Sequence, residues 1–571
     1  MTGPRRTTVA EAVGRALAER GAPMFGVMGN GNAHVIDAFV HAGGDFVQTR
    51  HEAGSVGAAD GFARASGRVG IATATYGAGY TNGVTPLAEA ARAGTSMVFV
   101  VGGPPEAGLR PWDVDQRLAS EALGVSTYRI SREAPERTVD AAFDAAGQSG
   151  RTVVLEIPYD LATSAATPSL ASEPQAPGRE PAAAAAAAEH GVPREDALRA
   201  AAARLAAAHR PIVVAGRGAL SAGVSAHLQQ LADLLGAPTA TTLLGQQAFS
   251  GSPWDLGIVG GLSTDAAHEI ISRSDAVLVV GASLNAFTCR FGTAFGEAAV
   301  LRVDARPAPP SVDVELLLEG DAREIVPALI DEVRGQLAEG ARRPWREDCM
   351  AGDGSEATRR AAGEGTLADG RLDPRSLMAS LDAILPERRR LVQDIGHSFG
   401  WAPMYLRLAQ GLPPIFMGTS MLSIGLGLLG AVGAGCAEPD VLTVAVMGDG
   451  SALMALADLD TLRRTSRSCL MVVVNDAAYS AEVIQYAEWQ GMDDGPMLIE
   501  EVDFASVASS LGAPSVVATG VQDLDAVAEW VAQGARGLFV VDARVSRAVR
   551  ADYMLEIAEH AKAADLGAEG A

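Results

Sequence analysis

Residues 441–480 read VLTVAVMGDGSALMALADLDTLRRTSRSCLMVVVNDAAYS. An apolar run, Val441 to Met447, ends in Gly448-Asp449-Gly450-Ser451. A helical segment follows, and a second apolar run, Leu470 to Val474, ends in Asn475-Asp476-Ala477-Ala478-Tyr479. Such near-continuous apolar runs predict strands buried on both faces, as in a parallel sheet with helices between its strands. Ligands of open α/β sheets bind beyond the carboxyl ends of the strands. Two strand ends here each present a carboxylate, Asp449 and Asp476. Magnesium takes one or two carboxylates and completes its octahedron with phosphate oxygens and water. Gly448 and Gly450 let the backbone approach a ligand closely, and the helix N-terminus beyond them favours a diphosphate. Either turn alone reads as an ordinary strand-to-helix turn with Asp as N-cap. The pair, just under thirty residues apart, points to a metal–phosphate site.

Outward from this stretch the same style repeats. RLVQDIG and GLFVVDA add strands to a third region, residues 366–555, followed by an Ala- and Glu-rich tail at 556–571 that reads as a helix with a frayed end. A middle region, 193–345, holds PIVVAG, AVLVVGA and AVLRVDA. The first region, 1–165, holds PMFGVMG, VGIATATYG, TSMVFVVGG and RTVVLEIP. Segments 166–192 and 346–365 are rich in Pro, Ala, Ser and polar residues and read as linkers. Ala182 to Ala188 could be helical but has nothing to pack against. Gly352-Asp353-Gly354 repeats the GDG triplet without a preceding strand and reads as a turn. The expected fold class is α/β, with three doubly wound parallel-sheet domains.

The chain has 571 residues, 48% apolar and 20% charged, with 64 glycines. At about 100–200 residues per domain this length is ample for three domains. A net charge of −24, from 45 basic and 69 acidic residues, speaks against a nucleic-acid partner. Any anionic cofactor must then be held by local devices. Cys289, Cys349, Cys436 and Cys469 form no CxxC and suggest neither disulfides nor zinc. No apolar stretch of about 18 residues suggests a membrane span, and the N-terminus reads as an amphipathic helix without a signal-peptide core. A cytoplasmic enzyme is the expectation.

The spacing of GDGS and the Asn-Asp pair resembles the diphosphate-binding signature of the thiamine diphosphate (ThDP) enzyme superfamily. That resemblance implies that Asp449 and Asp476 ligate Mg²⁺ by their side chains and Ala478 by its carbonyl. The flanking Gly448, Gly450, Ser451 and Tyr479 would contact the cofactor. Where the family usually has Asn, this chain has Asp476, and a carboxylate there implies tighter metal binding. Residues 50–64, RHEAGSVGAADGFAR, are similar to a segment of the acetolactate synthase and pyruvate decarboxylase family. The resemblance assigns Glu52 as the carboxyl that bonds the aminopyrimidine and activates it. An apolar site favours proton sharing by such a group. Without the resemblance, Glu52 is simply a helix N-terminal acid complementing the dipole. His51 either orients Glu52 or only packs.

Further positions follow from the same resemblance. Residues 418–427, GTSMLSIGLG, resemble the segment under the cofactor, with Ile424 as the apolar wedge between its rings and the Leu422 carbonyl as acceptor for its amino group. Gly396, His397 and Ser398 resemble a loop at the diphosphate. Asn30, in Gly29-Asn30-Gly31-Asn32, and Thr75, in Thr75-Tyr76-Gly77-Ala78-Gly79, lie on turns that face substrate and cofactor in the family. Tyr479-Ser480-Ala481-Glu482 resembles a Tyr-x-x-Glu whose Glu lies over the thiazolium, so Glu482 is a candidate proton donor. Two features depart from the family. The loop Gly103 to Gln116 has no His where pyruvate decarboxylases carry a His pair. Ser283-Leu284-Asn285 stands where FAD-binding acetolactate synthases commonly have Arg, so FAD is doubtful.

The implied activity is ThDP- and Mg²⁺-dependent decarboxylation and/or carboligation of a small 2-oxo acid through an enamine. An acetolactate synthase-type acyloin synthase is one alternative, and a catalytically silent ThDP-binding regulatory subunit is another. A nicotinamide or flavin oxidoreductase ranks low, since no GxGxxG opens a strand-to-helix turn with an acidic ribose partner. The resemblance implies a homodimer or homotetramer in which Glu52 of one chain meets the Mg²⁺ site of another.

Overall fold

Three six-stranded sheets, parallel at every strand pair, organise the computed structural model, which describes residues 6–167, 194–337, 345–350, 358, 360–408 and 411–569. The first sheet comprises β1 (Met24–Gly26), β2 (Phe46–Gln48), β3 (Gly70–Ala74), β4 (Met97–Gly103), β5 (Ser126–Arg129) and β6 (Thr152–Pro158). The middle one comprises β7 (Pro211–Ala215), β8 (Thr239–Thr241), β9 (Asp255–Ile258), β10 (Ala276–Val280), β11 (Ala299–Asp304) and β12 (Leu316–Glu319). The third comprises β13 (Arg389–Gln393), β14 (Ile415–Phe416), β15 (Leu442–Gly448), β16 (Ser468–Asn475), β17 (Ser515–Ala518) and β18 (Gly537–Arg544).

Strand order is β2-β1-β3-β4-β6-β5 in the first sheet and β14-β13-β15-β16-β18-β17 in the third. These are one topology used twice, which the sequence did not reveal as a repeat. In each, the order reverses between the first strand and the third, and there neighbouring connections leave toward opposite faces and open a crevice. The crevices lie beyond β1 and β3 in the first domain and beyond β13 and β15 in the third. The middle sheet runs β12-β11-β10-β7-β8-β9. That is the dinucleotide-fold order, which by itself says nothing of a ligand.

The first and third domains share one apolar core. The helix Glu52–Ser66 packs on the helix Gly427–Ala437, and small residues permit the approach. A Cβ on Gly61 would stand 2.2 Å from the Gly430 carbonyl oxygen, and one on Gly433 only 1.8 Å from that of Ala58. The run of small residues in each helix is therefore a packing requirement.

The C-terminal helix, Asp552–Glu569, starts before the expected boundary at 555 and continues through it. It docks on the middle domain: Glu556 pairs with Arg290, and His560 stacks on Phe291 at 4.3 Å. Most of the expected linker 166–192, with Ala182 to Ala188, lies outside the described residues, as does Gly352-Asp353-Gly354. At the start of the segment 346–365, Arg346 lies 5.0 Å over Trp254 and pairs with Asp233 at 2.6 Å, so this residue packs on the middle domain. The four cysteines are free thiols. No helix among the described residues is long and apolar enough to cross a membrane.

Candidate active site

The third-domain crevice gathers the residues expected to hold metal and diphosphate. Asp449 opens the helix Asp449–Met454 directly after β15, and Asp476 directly follows β16. Both carboxylates are buried, and Asp449 Oδ2 has no hydrogen-bond partner. Burial, reinforced by the charge of Asp476, pushes the Asp449 carboxyl up to about 7. Two carboxylates packed together at a strand edge call for a cation, which would reverse that shift. Ala477 sits in the left-handed region at φ 58°, a strained conformation for Ala, and its N–H points at Asp449. Ser480 Oγ donates to Asp476 Oδ2 at 2.6 Å. His397 Nε2 accepts the Ala551 N–H at 3.2 Å, so the ring proton is on Nδ1, 3.6 Å from Asp476 Oδ2.

The neighbouring loops close around this pair. Ser398 Oγ is buried without a partner, and a Cβ on Gly448 would stand 3.6 Å from it. Gly450 has no room for a side chain: its Cβ would lie 2.5 Å from the Tyr479 ring. Ser451 is buried one residue on. Gly396, at φ 110°, lies beside Ile424, whose Cγ2 would be 3.9 Å from a Cβ there. Ala478 bridges to Leu498, and the Tyr479 N–H donates to the Met497 carbonyl at 2.8 Å. Among the described residues no group of three or more His, Cys, Asp and Glu converges on a metal position. Two carboxylates are few enough to suit Mg²⁺, which takes one or two and completes its shell with phosphate oxygens and water.

Two residues that sequence reasoning gave no role hold the loop 418–427. Asp394 is fully buried and accepts the N–H groups of Ile395 at 2.8 Å, Gly425 at 3.1 Å and Gly427 at 2.8 Å. Burial pushes its carboxyl up to about 7 despite these donors. Glu89, from the first domain, accepts the N–H of Ser420 at 3.0 Å and of Met421 at 2.9 Å. Between these anchors Leu422 takes a left-handed φ of 57° and is 82% exposed. A non-glycine residue held this way marks stored strain of the kind found at functional sites.

The first-domain crevice gathers the other set. Glu52 is the first residue of its helix, and His51 is the N-cap, its Nδ1 accepting the Ala53 N–H at 3.1 Å. His51 thus fixes where the helix begins, and with it the position of Glu52. Glu52 Oε2 accepts from Asn82 Nδ2 at 3.0 Å. A Cβ on Gly79 would stand 3.4 Å from Glu52 Oε1 and 2.7 Å from Thr75 Cγ2, so Gly79 keeps space open between them. Thr75 Oγ1 accepts the Gly31 N–H at 2.9 Å. Asn30 Nδ2 donates to Tyr76 Oη at 3.0 Å and Tyr159 Oη at 3.4 Å. Glu482 is exposed, one residue before a π-helical turn, Val483–Glu488, a form frequent at functional sites. In the middle domain Asn285 Oδ1 accepts the Thr288 N–H at 2.9 Å, a local cap.

Comparison with known proteins gives the two crevices a common meaning. Residues 7–123 match the thiamine pyrophosphate enzyme N-terminal TPP binding domain, 198–329 the central domain, and 394–543 the C-terminal TPP binding domain. The chain is 27% identical to an acetolactate synthase of Mycobacterium avium, covering 89% of this chain and 83% of that one. It is 29% identical to a probable acetolactate synthase large subunit of Methanococcus aeolicus, over 79% and 78%. A sulfoacetaldehyde acetyltransferase of Alcaligenes xylosoxydans xylosoxydans is 26% identical over 91% and 90%. With all three domains matched in order, the chain belongs to the thiamine pyrophosphate enzymes, which make and break carbon–carbon bonds.

Proposed function

We propose that this enzyme decarboxylates a small 2-oxo acid and transfers the remaining fragment, with Mg²⁺ clasped by Asp449, Asp476 and the Ala478 carbonyl, and Glu52 at the aminopyrimidine. The buried Asp449–Asp476 pair, with its unpartnered Oδ2, carries this reading. ThDP, when bound, supplies the electron sink for cleavage next to a carbonyl. The chain supplies the rest. Asn82 occupies Glu52 Oε2, which leaves Oε1, beside Gly79, to exchange a proton with the pyrimidine nitrogen. Ser480 and the Nδ1–H of His397 hold Asp476 facing the metal position. Asp394 and Glu89 fix the loop that presents the Leu422 carbonyl and the Ile424 wedge. Glu482 is the candidate proton donor toward the product.

Carboligation is the favoured outcome over simple aldehyde release. The loop Gly103 to Gln116 has no His to help protonate the product, and the relatives named above include acetolactate synthases. The test is turnover of a 2-oxo acid panel with ThDP and Mg²⁺, read by CO₂ release and product analysis, with and without an acceptor aldehyde or second 2-oxo acid. CO₂ release with an acyloin product is expected. Aldehyde as the sole product would overturn carboligation, and no CO₂ from any acid would overturn the 2-oxo acid reading.

A further inference from the structure

Beside the Glu52 crevice stands a cluster that the cofactor-holding residues do not account for. Tyr76 follows β3 by two residues, Tyr159 directly follows β6, and Asn30 lies on the turn after β1, so all three rim the same carboxyl edge of the sheet. Each phenol oxygen accepts a hydrogen from Asn30 Nδ2, at 3.0 Å and 3.4 Å. A hydroxyl that accepts still has its own proton to donate. Two O–H donors are thereby held close together by one amide. Their rings meet edge to face, with centroids 5.8 Å apart at 87°.

A cation lies over both rings. The Arg110 guanidinium is 4.3 Å from the Tyr76 centroid and 4.7 Å from that of Tyr159. Asp113 fixes it there in a bidentate pair at 2.8 and 2.9 Å. The supporting loop is itself pinned, since Gln116 Oε1 accepts the Gly77 N–H at 2.9 Å and Gln116 Nε2 donates to the Gly102 carbonyl at 2.9 Å. A cation over an aromatic face draws on its π density, which makes the phenol a stronger donor. Asp113 neutralises Arg110, so the cluster offers two sharpened, directional donors and not a free positive charge. That suits the oxygens of one acidic group. The position suits it too, because Thr75, adjacent to Tyr76, borders the Gly79 space at Glu52.

We propose that Tyr76 and Tyr159, positioned by Asn30 and polarised by Arg110, form a two-donor clamp for an acidic group of the substrate, and so set its specificity. This rests on the 2-oxo acid reading above. The shared chemistry is that of carboxylate, sulfonate or phosphonate oxygens. The group bound is either the carboxylate next to the carbonyl or a second acid on the substrate's tail.

The test compares wild type with Tyr76→Phe, Tyr159→Phe and the double variant, each loaded with ThDP and Mg²⁺. Phenylalanine keeps both rings under Arg110 and removes only the hydroxyls, so a packing role would be unaffected. Substrates are pyruvate, with one acid, and 3-sulfopyruvate and 2-oxoglutarate, with two. At about 1.5–3 kcal/mol for a hydrogen bond to a charged group, KM should rise roughly ten- to a hundredfold in each single variant and further in the double variant, with kcat little changed. A rise for all three acids assigns the clamp to the common carboxylate. A rise confined to the two-acid substrates assigns it to the tail. Unchanged KM for every acid turned over overturns the clamp. If wild type turns over none of them, the 2-oxo acid reading fails separately, and calorimetric titration with methylphosphonate and malonate decides the clamp. Binding lost in the double variant upholds it; equal binding or none overturns it.

Discussion

Asp476 adds a second carboxylate where the family usually has an amide, and its surroundings are built for the charge. Ser480 Oγ donates to it at 2.6 Å, and the His397 Nδ1–H faces it at 3.6 Å. A divalent ion gains from that charge, so Asp476→Asn should raise the Mg²⁺ concentration for half-maximal activity on the order of tenfold while leaving turnover at saturating Mg²⁺ largely intact. A metal titration of activity checks this, and an unchanged midpoint would mean that the carboxylate does not touch the ion. Asp449 and Asp476 were legible because each directly follows a buried strand, where position in sequence fixes position in the crevice. Asp394, Glu89 and Tyr159 were not. Each acts on a partner far away in the chain, and one sequence does not record which distant residues meet.

At the level of elements, long buried strands announced themselves, and most short ones, the interior β8 among them, did not. β4, β6, β7, β10, β15 and β16 are buried along most of their length, and burial on both faces demands the continuous apolar runs that were read. β5, β9, β12, β14 and β17 lie at sheet edges and span two to four residues, too short and too mixed to signal. Contacts between elements were equally hidden. Asp460, at the start of a helix in the third domain, holds Arg464 at 2.8 Å and reaches across to Arg50 of the first domain at 2.7 Å. Hydrogen bonding from Arg464, with help from Arg50, lowers its carboxyl to about 2. A folded-state value below the unfolded one, about 3.9, means stabilisation that is complete above pH 4 and lost as pH falls toward 2. Unfolding midpoints of wild type and Asp460→Asn should therefore differ at pH 6 and converge near pH 2. Because Arg50 is partly exposed, salt should narrow the difference at pH 6 as well.

For the whole molecule, the repeated strand order creates two equivalent crevices, one holding Glu52 and Thr75 and the other Asp449 and Asp476. Within one chain the joining contacts run elsewhere: the helix pair, Glu89 to the loop at 420–421, and Arg50 to Asp460. Around the crevices large apolar side chains stand in the open, with Leu422 82%, Trp112 63% and Met454 61% exposed. Apolar surface concentrated at a site asks for a cover, and we propose that a second copy supplies it, which by two-fold symmetry would set a first-domain crevice against a third-domain one. Glu52→Gln disables one half of the site and Asp449→Ala the other, so each homogeneous variant should be inactive. In a mixed dimer, one site collects both lesions and the other is intact. Random pairing of the two variants makes about half the dimers mixed, so about a quarter of wild-type activity should return on co-expression. No recovery, with mixed dimers demonstrated by differential tags, would place each site within a single chain.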